Sequence, residues 1–191
     1  MLAASELRPG MAVRLEGKLY MVLAAEYHFG GGKMGGLTHA RLRDLDTGHV
    51  REWRFRGDET VDEIEPERQT LQFLYAAAGM NTFMNPETFE QVEIENDRLG
   101  RAASFLHEGM SVPVEFVGGR PVSIALPSTM EVRVADAAAP VHGQGISNVW
   151  KEARLENGLT VMVPAFIAPG ETIRVQVETG EYIERAHGAK G

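Results

Sequence analysis

Cysteine is absent from all 191 residues. That excludes a disulfide framework, a thiol nucleophile, thiolate-bound zinc and iron–sulfur clusters. Aromatic residues are sparse, and no apolar run approaches the roughly 18 residues that read as a membrane span. The opening MLAASELRPG has no basic stretch followed by an apolar core. No signal peptide is expected, and the cytoplasm is the expected compartment. Positive charge is in deficit: 19 Lys and Arg face 27 Asp and Glu, for a formal net charge of −8. General coating of nucleic acid needs clustered Lys and Arg, so it is not expected, although a local basic surface is compatible with this total. Hydrophobic residues at 43% and charged residues at 24% are ordinary globular proportions, which argues against wholesale disorder.

What is abundant is glycine, with 21 residues, joined by 9 prolines. They fall at short intervals between stretches rich in Val, Leu, Ile, Phe and Tyr, the punctuation of short strands joined by turns. Strands are expected at 18–27, 38–45, 49–56, 112–117, 121–126, 130–134, 159–163, 172–177 and 181–184. A hairpin of 71–75 with 82–84 is expected across 76–81, and Gly118-Gly119 signals another. One helix is expected, Asn96 to Leu106, capped by Asn96 and presenting Leu99, Ala103 and Leu106 on one face. The fold class is all-β. Breaks at Glu65-Pro66 and Pro127 divide the chain into 1–64, 65–127 and 128–191. Pieces of that size bury only ~60% of their unfolded surface, so short strands in them are best closed into small barrels without free edges. Three consecutive small β-barrels are therefore expected.

The most unusual segment is HFGGGKMGGL, His28 to Leu37, in which Gly30, Gly31, Gly32, Gly35 and Gly36 surround Lys33 and Met34. A structural turn needs one or two glycines, not five. On a hairpin, each arm of about five residues would carry Lys33 roughly 15 Å outward. A solvated loop is the alternative. A phosphate loop is rejected, because Met34 follows the lysine and a strand, not a helix, comes next. A Schiff-base lysine needs a desolvated pocket that so open a loop does not provide. The following hairpin carries a local positive excess, with Arg41, Arg43, Arg51, Arg54 and Arg56 against Asp44, Asp46 and Glu52. No histidine pair has metal-ligand spacing on a helix, so no metal is expected. His39 and His49 could face each other across the hairpin, or be separately solvated. Gly-x-Ser-x-Gly is absent, and Glu90, Glu93, Glu95 and Asp97 read as a solvated acidic surface. No enzyme site is expected.

Ordered strings along the whole chain resemble the bacterial elongation factor P family. They are LRPGMAVRLEGKLYMV at Leu7 to Val22, ARLRDLDTG at Ala40 to Gly48, FMNPETFEQVEI at Phe83 to Ile94 and FLHEGM at Phe105 to Met110. KEARLENGLTVMVPAFIAPGE at Lys151 to Glu171 looks like the family's signature region, and GEYIERA at Gly180 to Ala186 like its ending. The resemblance implies an SH3-like (KOW-type) barrel and two OB-folds in an L-shaped, tRNA-like arrangement, acting as a monomer without membrane or cofactor. It implies a translation factor that sits on the 70S ribosome between the P and E sites, contacts rRNA, and relieves stalling on consecutive prolines. Lys33 would then approach the CCA end of the P-site peptidyl-tRNA, and a lysine-modifying enzyme would extend it in many members. Tyr182 and Arg185 match the family's C-terminal tyrosine and arginine.

Two departures stand out. Gly31-Gly32-Lys33-Met34 replaces the usual Pro-Gly-Lys-Gly, which changes what a modifying enzyme meets. GQGISNVW at Gly143 to Trp150, with Glu152 after the lysine, replaces a Gly- and Thr-rich loop and a proline. An elongation factor P-like paralogue with other tip chemistry or clients is the alternative. A plain single-stranded RNA-binding module would want aromatics on a basic groove. The last two thirds of the chain hold only ten basic groups against seventeen acidic ones.

Overall fold

The computed structural model describes residues 1–30, 35–139 and 149–186. The first sheet contains β1 (Leu2–Ala3), β2 (Ala12–Leu15), β3 (Lys18–His28), β4 (Leu37–Asp44), β5 (Val50–Arg56) and β6 (Thr60–Ile64). Its order is β1-β6-β2-β3-β4-β5, with antiparallel neighbours throughout. Period-two alternation decides which side chains enter the core. Thr38, Ala40, Leu42 and Asp44 are buried along β4, while Arg41 between them is exposed. Val13, Tyr20, Val22, Ala40, Leu42, Phe55 and Val61 close one apolar cluster. Burying a side chain such as Leu42 or Phe55 contributes about 1.5–3 kcal/mol.

The second sheet contains β7 (Glu67–Ala77), β8 (Met80–Met84), β9 (Gln91–Glu95), β10 (Ser111–Val117) and β11 (Arg120–Ile124), in the order β11-β10-β7-β8-β9. Both Gly118 and Gly119 have positive φ, 58° and 78°, as a two-residue type I′ turn demands. The β7–β8 hairpin is longer than expected. Its turn is only Ala78-Gly79, so both strands run on to meet it. Phe73 and Phe83 pack edge to face at 5.5 Å. The third sheet contains β12 (Thr129–Ala137), β13 (Trp150–Leu155), β14 (Thr160–Pro164), β15 (Thr172–Gln176) and β16 (Tyr182–Arg185), in the order β14-β13-β12-β15-β16. Val134, Leu155, Val163, Ile167, Ile173 and Val175 fill its core.

The expected Asn96–Leu106 helix is corrected. One α-helical turn, α1 (Asn96–Leu99), gives way to 3-10 turns over Gly100–Phe105. Gly100 takes φ +56° and ψ −135°, a combination open to glycine that no α-helix continues through. Glu95, not Asn96, is the N-cap, and the Asn96 side chain instead accepts a hydrogen bond from Asn81 Nδ2 at 3.2 Å. Leu99 and Phe105 are buried, rather than a Leu99–Ala103–Leu106 stripe, and Phe105 packs against the third core.

By contacts the chain forms two compact units, Met1–Gln69 with Glu115–Val122, and Thr70–Val114 with Ser123–Gly191. The β10–β11 tip belongs to the first unit for a visible reason. Val117 and Val122 join Ala12 and Leu45 in a small apolar cluster. Arg120 donates to the Leu45 carbonyl at 2.8 Å and pairs with Asp46. No helix among the described residues is long and apolar enough to cross a membrane.

Candidate nucleic-acid interface

β3 and β4 form an arm whose β4 edge is continued by β5 from Leu37↔Arg56 to Arg43↔Val50. The β3–β4 register runs from Tyr20↔Asp44 to His28↔Leu37, interrupted by a bulge between Val22 and Ala24. A bulge bends its strand and raises the local twist. Here it also resets the alternation. Val22 lies opposite Leu42 on the core side, and after the extra Leu23 it is Ala25, opposite Ala40, that faces the core side.

Lys33, Gly31, Gly32 and Met34 lie outside the described residues. Gly30 and Gly35, on either side of them, are exposed, whereas Gly36 is buried. A Cβ on Gly36 would fall 2.1 Å from Tyr27 Oη, and one on Gly57 would fall 2.8 Å from the Gly36 carbonyl oxygen. The Tyr27 ring therefore covers Gly36, and Gly36 presses on the β5–β6 turn. Tyr27 also meets Phe29, with ring centroids 4.9 Å apart.

Register decides which arginines share a surface. Arg41 and Arg43 lie on the outer face of β4. Arg54 and Arg56 lie opposite His39 and Leu37 and share that face. Arg51 pairs with Leu42 and so belongs to the other face of β5. Arg41, Arg51, Arg54 and Arg56 are exposed and Arg43 is half-buried. None of the five forms an ion pair among the described residues, whereas the arginines of the other two sheets mostly do. Arg68 meets Glu115 at 2.9 Å, Arg98 meets Glu95 at 3.7 Å, and Arg174 meets both Glu184 and Glu131 at 2.6 and 3.3 Å. On the arginine face of the arm Glu52 lies opposite Arg41 and Glu26 opposite His39, yet neither closes an ion pair with an arginine among the described residues, and four guanidinium groups face two carboxylates. His39 does not face His49. It packs edge-on against His28 at 5.3 Å, and His28 lies 3.7 Å from Glu26.

The turn at the far end of the arm is an Asx turn, in which Asp44 Oδ1 accepts from the backbone N–H groups of Asp46 and Thr47 at 2.8 and 3.0 Å. The Thr47 N–H is the largest influence holding the Asp44 carboxyl below its ordinary range.

Tyr182 and Arg185 stand in the second unit. The Tyr182 ring is half-buried, edge-on to Trp150 at 6.1 Å, and burial raises its phenol above the ordinary range. Arg185 pairs with Glu171 and sits 5.0 Å over the Phe166 ring. Glu171 is itself held below the ordinary carboxylate range, first by the Ala168 N–H. Among the described residues, no group of three or more His, Asp or Glu side chains could hold a metal. Sequence reasoning missed Tyr27, Phe29, Gly57 and Arg120. The Tyr-x-Phe spacing before the glycine run was the one available signal for the first two.

Three sheets and a β-arm whose arginines form no ion pairs among the described residues define an all-β protein of the small-barrel class, bearing a surface suited to a polyanion. Comparison with known proteins narrows this. The family model for the elongation factor P KOW-like domain matches residues 3–61, that for its OB domain matches 66–124, and that for its C-terminal region matches 130–185. The chain is 36% identical to elongation factor P of Symbiobacterium thermophilum, over 97% of this chain and 100% of that one. It is 38% identical to elongation factor P of Zymomonas mobilis, over 95% and 96% of the two chains. It is 39% identical to that of Rhodospirillum centenum, over 96% and 97%. The chain belongs to the elongation factor P family. It is a translation elongation factor, with a KOW-like and an OB domain among its barrels, in a family of factors rather than classical enzymes.

Proposed function

We propose that this factor binds the 70S ribosome between the P and E sites and stimulates peptide-bond formation at consecutive prolines, with Lys33 steadying the end of the P-site peptidyl-tRNA. We take 1–64, 65–127 and 128–191 as its three domains. The observation that carries this reading is the single face shared by Arg41, Arg43, Arg54 and Arg56, none of them closed into an ion pair among the described residues and only Glu52 across from Arg41, on the arm that leads to Lys33. Unpaired guanidinium groups make strong charge-assisted contacts with phosphate oxygens, which fix register and orientation on RNA.

Proline is a constrained donor and a poor acceptor because its ring fixes φ. The barrier at such a bond rises when the reactants are misplaced, and holding them in line restores rate without any acid–base group. A lysine at the tip of a braced arm supplies such positioning. The acidic remainder of the chain disfavours other poses on RNA and so adds specificity. A lysine-modifying enzyme acting on Lys33 would lengthen the reach of the cation. The Met34 that follows Lys33 favours, as a second reading, a paralogue with different tip chemistry or clients. Contacts from Tyr182 and Arg185 to the ribosome belong to the same proposal.

Lys33→Ala is the test. Polyproline reporters should lose synthesis while ordinary reporters and the fold are unaffected. Equal activity of the two proteins on a polyproline reporter refutes the mechanism. Intact mass of the protein from its native host reports the modification.

A further inference from the structure

Phe29 is 91% exposed, far beyond what its own fold requires of an apolar ring. It is not a loose side chain. Tyr27 meets it at an interplanar angle of 73°, and Tyr27 is itself seated over Gly36, where even a Cβ would collide with the phenol. Tyr27 pairs with Thr38, so the rings occupy the face of the arm opposite Arg41, Arg43, Arg54 and Arg56. A single sheet layer is one backbone thick. One face therefore presents unpaired cations and the other a braced, open aromatic ring.

Single-stranded RNA matches both faces, because it carries phosphates and flat bases in one repeating chain. An apolar ring offers no donor to a phosphate oxygen but stacks on the flat face of a base, while Arg54 and Arg56 meet the backbone. We propose that Phe29, backed by Tyr27, is a stacking site for an unpaired RNA base, on the same arm whose arginines bind the phosphates. This rests on the RNA-directed reading of the arm under Proposed function.

The full-length protein is titrated with a short single-stranded RNA carrying 2-aminopurine, whose fluorescence falls when it stacks on a ring. Phe29→Ala should weaken binding roughly five-fold or more and abolish the quench. Its salt dependence should stay unchanged, because no phosphate contact is lost. Phe29→Trp should keep both affinity and quench, and Phe29→Leu should keep neither. A double Arg54→Gln, Arg56→Gln variant should bind more weakly yet still quench at saturation. Removing an exposed ring leaves no cavity, so the alanine variant should fold as the parent does, which circular dichroism checks.

If Phe29→Ala binds and quenches like the parent while the arginine variant weakens, the stacking site is overturned, the ring is left for a protein partner, and the phosphate reading survives. If Phe29→Ala weakens and the arginine variant does not, the stack stands and the phosphate reading falls. A parent protein with no measurable binding overturns both. Base-modification probing of ribosomes bound by the parent and by Phe29→Ala then shows whether tRNA, rRNA or mRNA supplies the base.

Discussion

Gly57→Ala should loosen the arm, although Gly57 lies outside it. Neither Gly57 nor Gly36 has positive φ, so the backbone conformation admits alanine at both, and sterics alone decide the outcome. A Cβ on Gly57 would sit 2.8 and 2.9 Å from the carbonyl oxygen and nitrogen of Gly36. Those are backbone atoms, and no rotamer change relieves the clash. The start of β4 must move away from the β5–β6 turn. A Cβ on Gly36 instead meets three atoms of the Tyr27 ring at 2.1–2.3 Å, and that ring, 37% exposed, has solvent to swing into. Overpacking of the first kind costs about 1–3 kcal/mol. Expressed as local opening, that is roughly 5- to 150-fold faster amide exchange in the arm. Hydrogen exchange read on peptides spanning β3 and β4 is the suitable assay, because a chain of two compact units does not yield a single unfolding free energy. Gly36→Ala should give a smaller increase, and Tyr27→Ala in the same chain should relieve it. Tyr27→Ala should not relieve Gly57→Ala. Parent-like exchange in Gly57→Ala, or its rescue by Tyr27→Ala, would refute the steric account.

Two further outcomes follow from the arm's geometry. Ribosome binding measured against salt should lose about one unit of logarithmic slope for each phosphate-bound arginine removed. Arg54→Gln and Arg56→Gln should each show that loss and Arg51→Gln, on the other face of β5, should not; equal slopes for the three would remove the one-face reading. Asp44 has a carboxyl held below its ordinary range by the Thr47 N–H first and the Asp46 N–H next, with Lys18 3.9 Å away. A depressed folded value means that the turn's stabilisation is complete above the unfolded range near ~4 and fades as pH falls through the folded value. The amide resonances of Asp46 and Thr47 should therefore shift together with a midpoint below about 4, and Asp44→Asn should flatten that titration. A midpoint at or above the ordinary value would show that the turn does not favour the ionised carboxyl.

Turns and strands were legible locally because their causes are local. Gly118-Gly119 needs positive φ twice, which few other pairs supply, and β10 ends and β11 begins on either side of that pair. The alternation of Ala40 and Leu42 with Arg41 and Arg43 already marked β4 as half-buried. Weaker signals failed. β2, β6 and β9 are four or five residues long and carry too few alternations to stand out, and Gly100 broke a helix whose apolar spacing had suggested continuity.

Composition and pattern by themselves determined an acidic, cysteine-free, all-β chain with one glycine-flanked lysine followed by an arginine-rich hairpin. These depend only on residue identity and on the period-two geometry of a strand. That Arg54 and Arg56, and not Arg51, stand on the face of Arg41 and Arg43 was decided by tertiary structure, because the β4–β5 register sets it. The same holds for Gly57 against Gly36, for Tyr27 bracing Phe29, and for Arg120 reaching the carbonyl of Leu45. Each is a contact between segments brought together by sheet formation, and nothing in the spacing of the residues along the chain encodes that meeting.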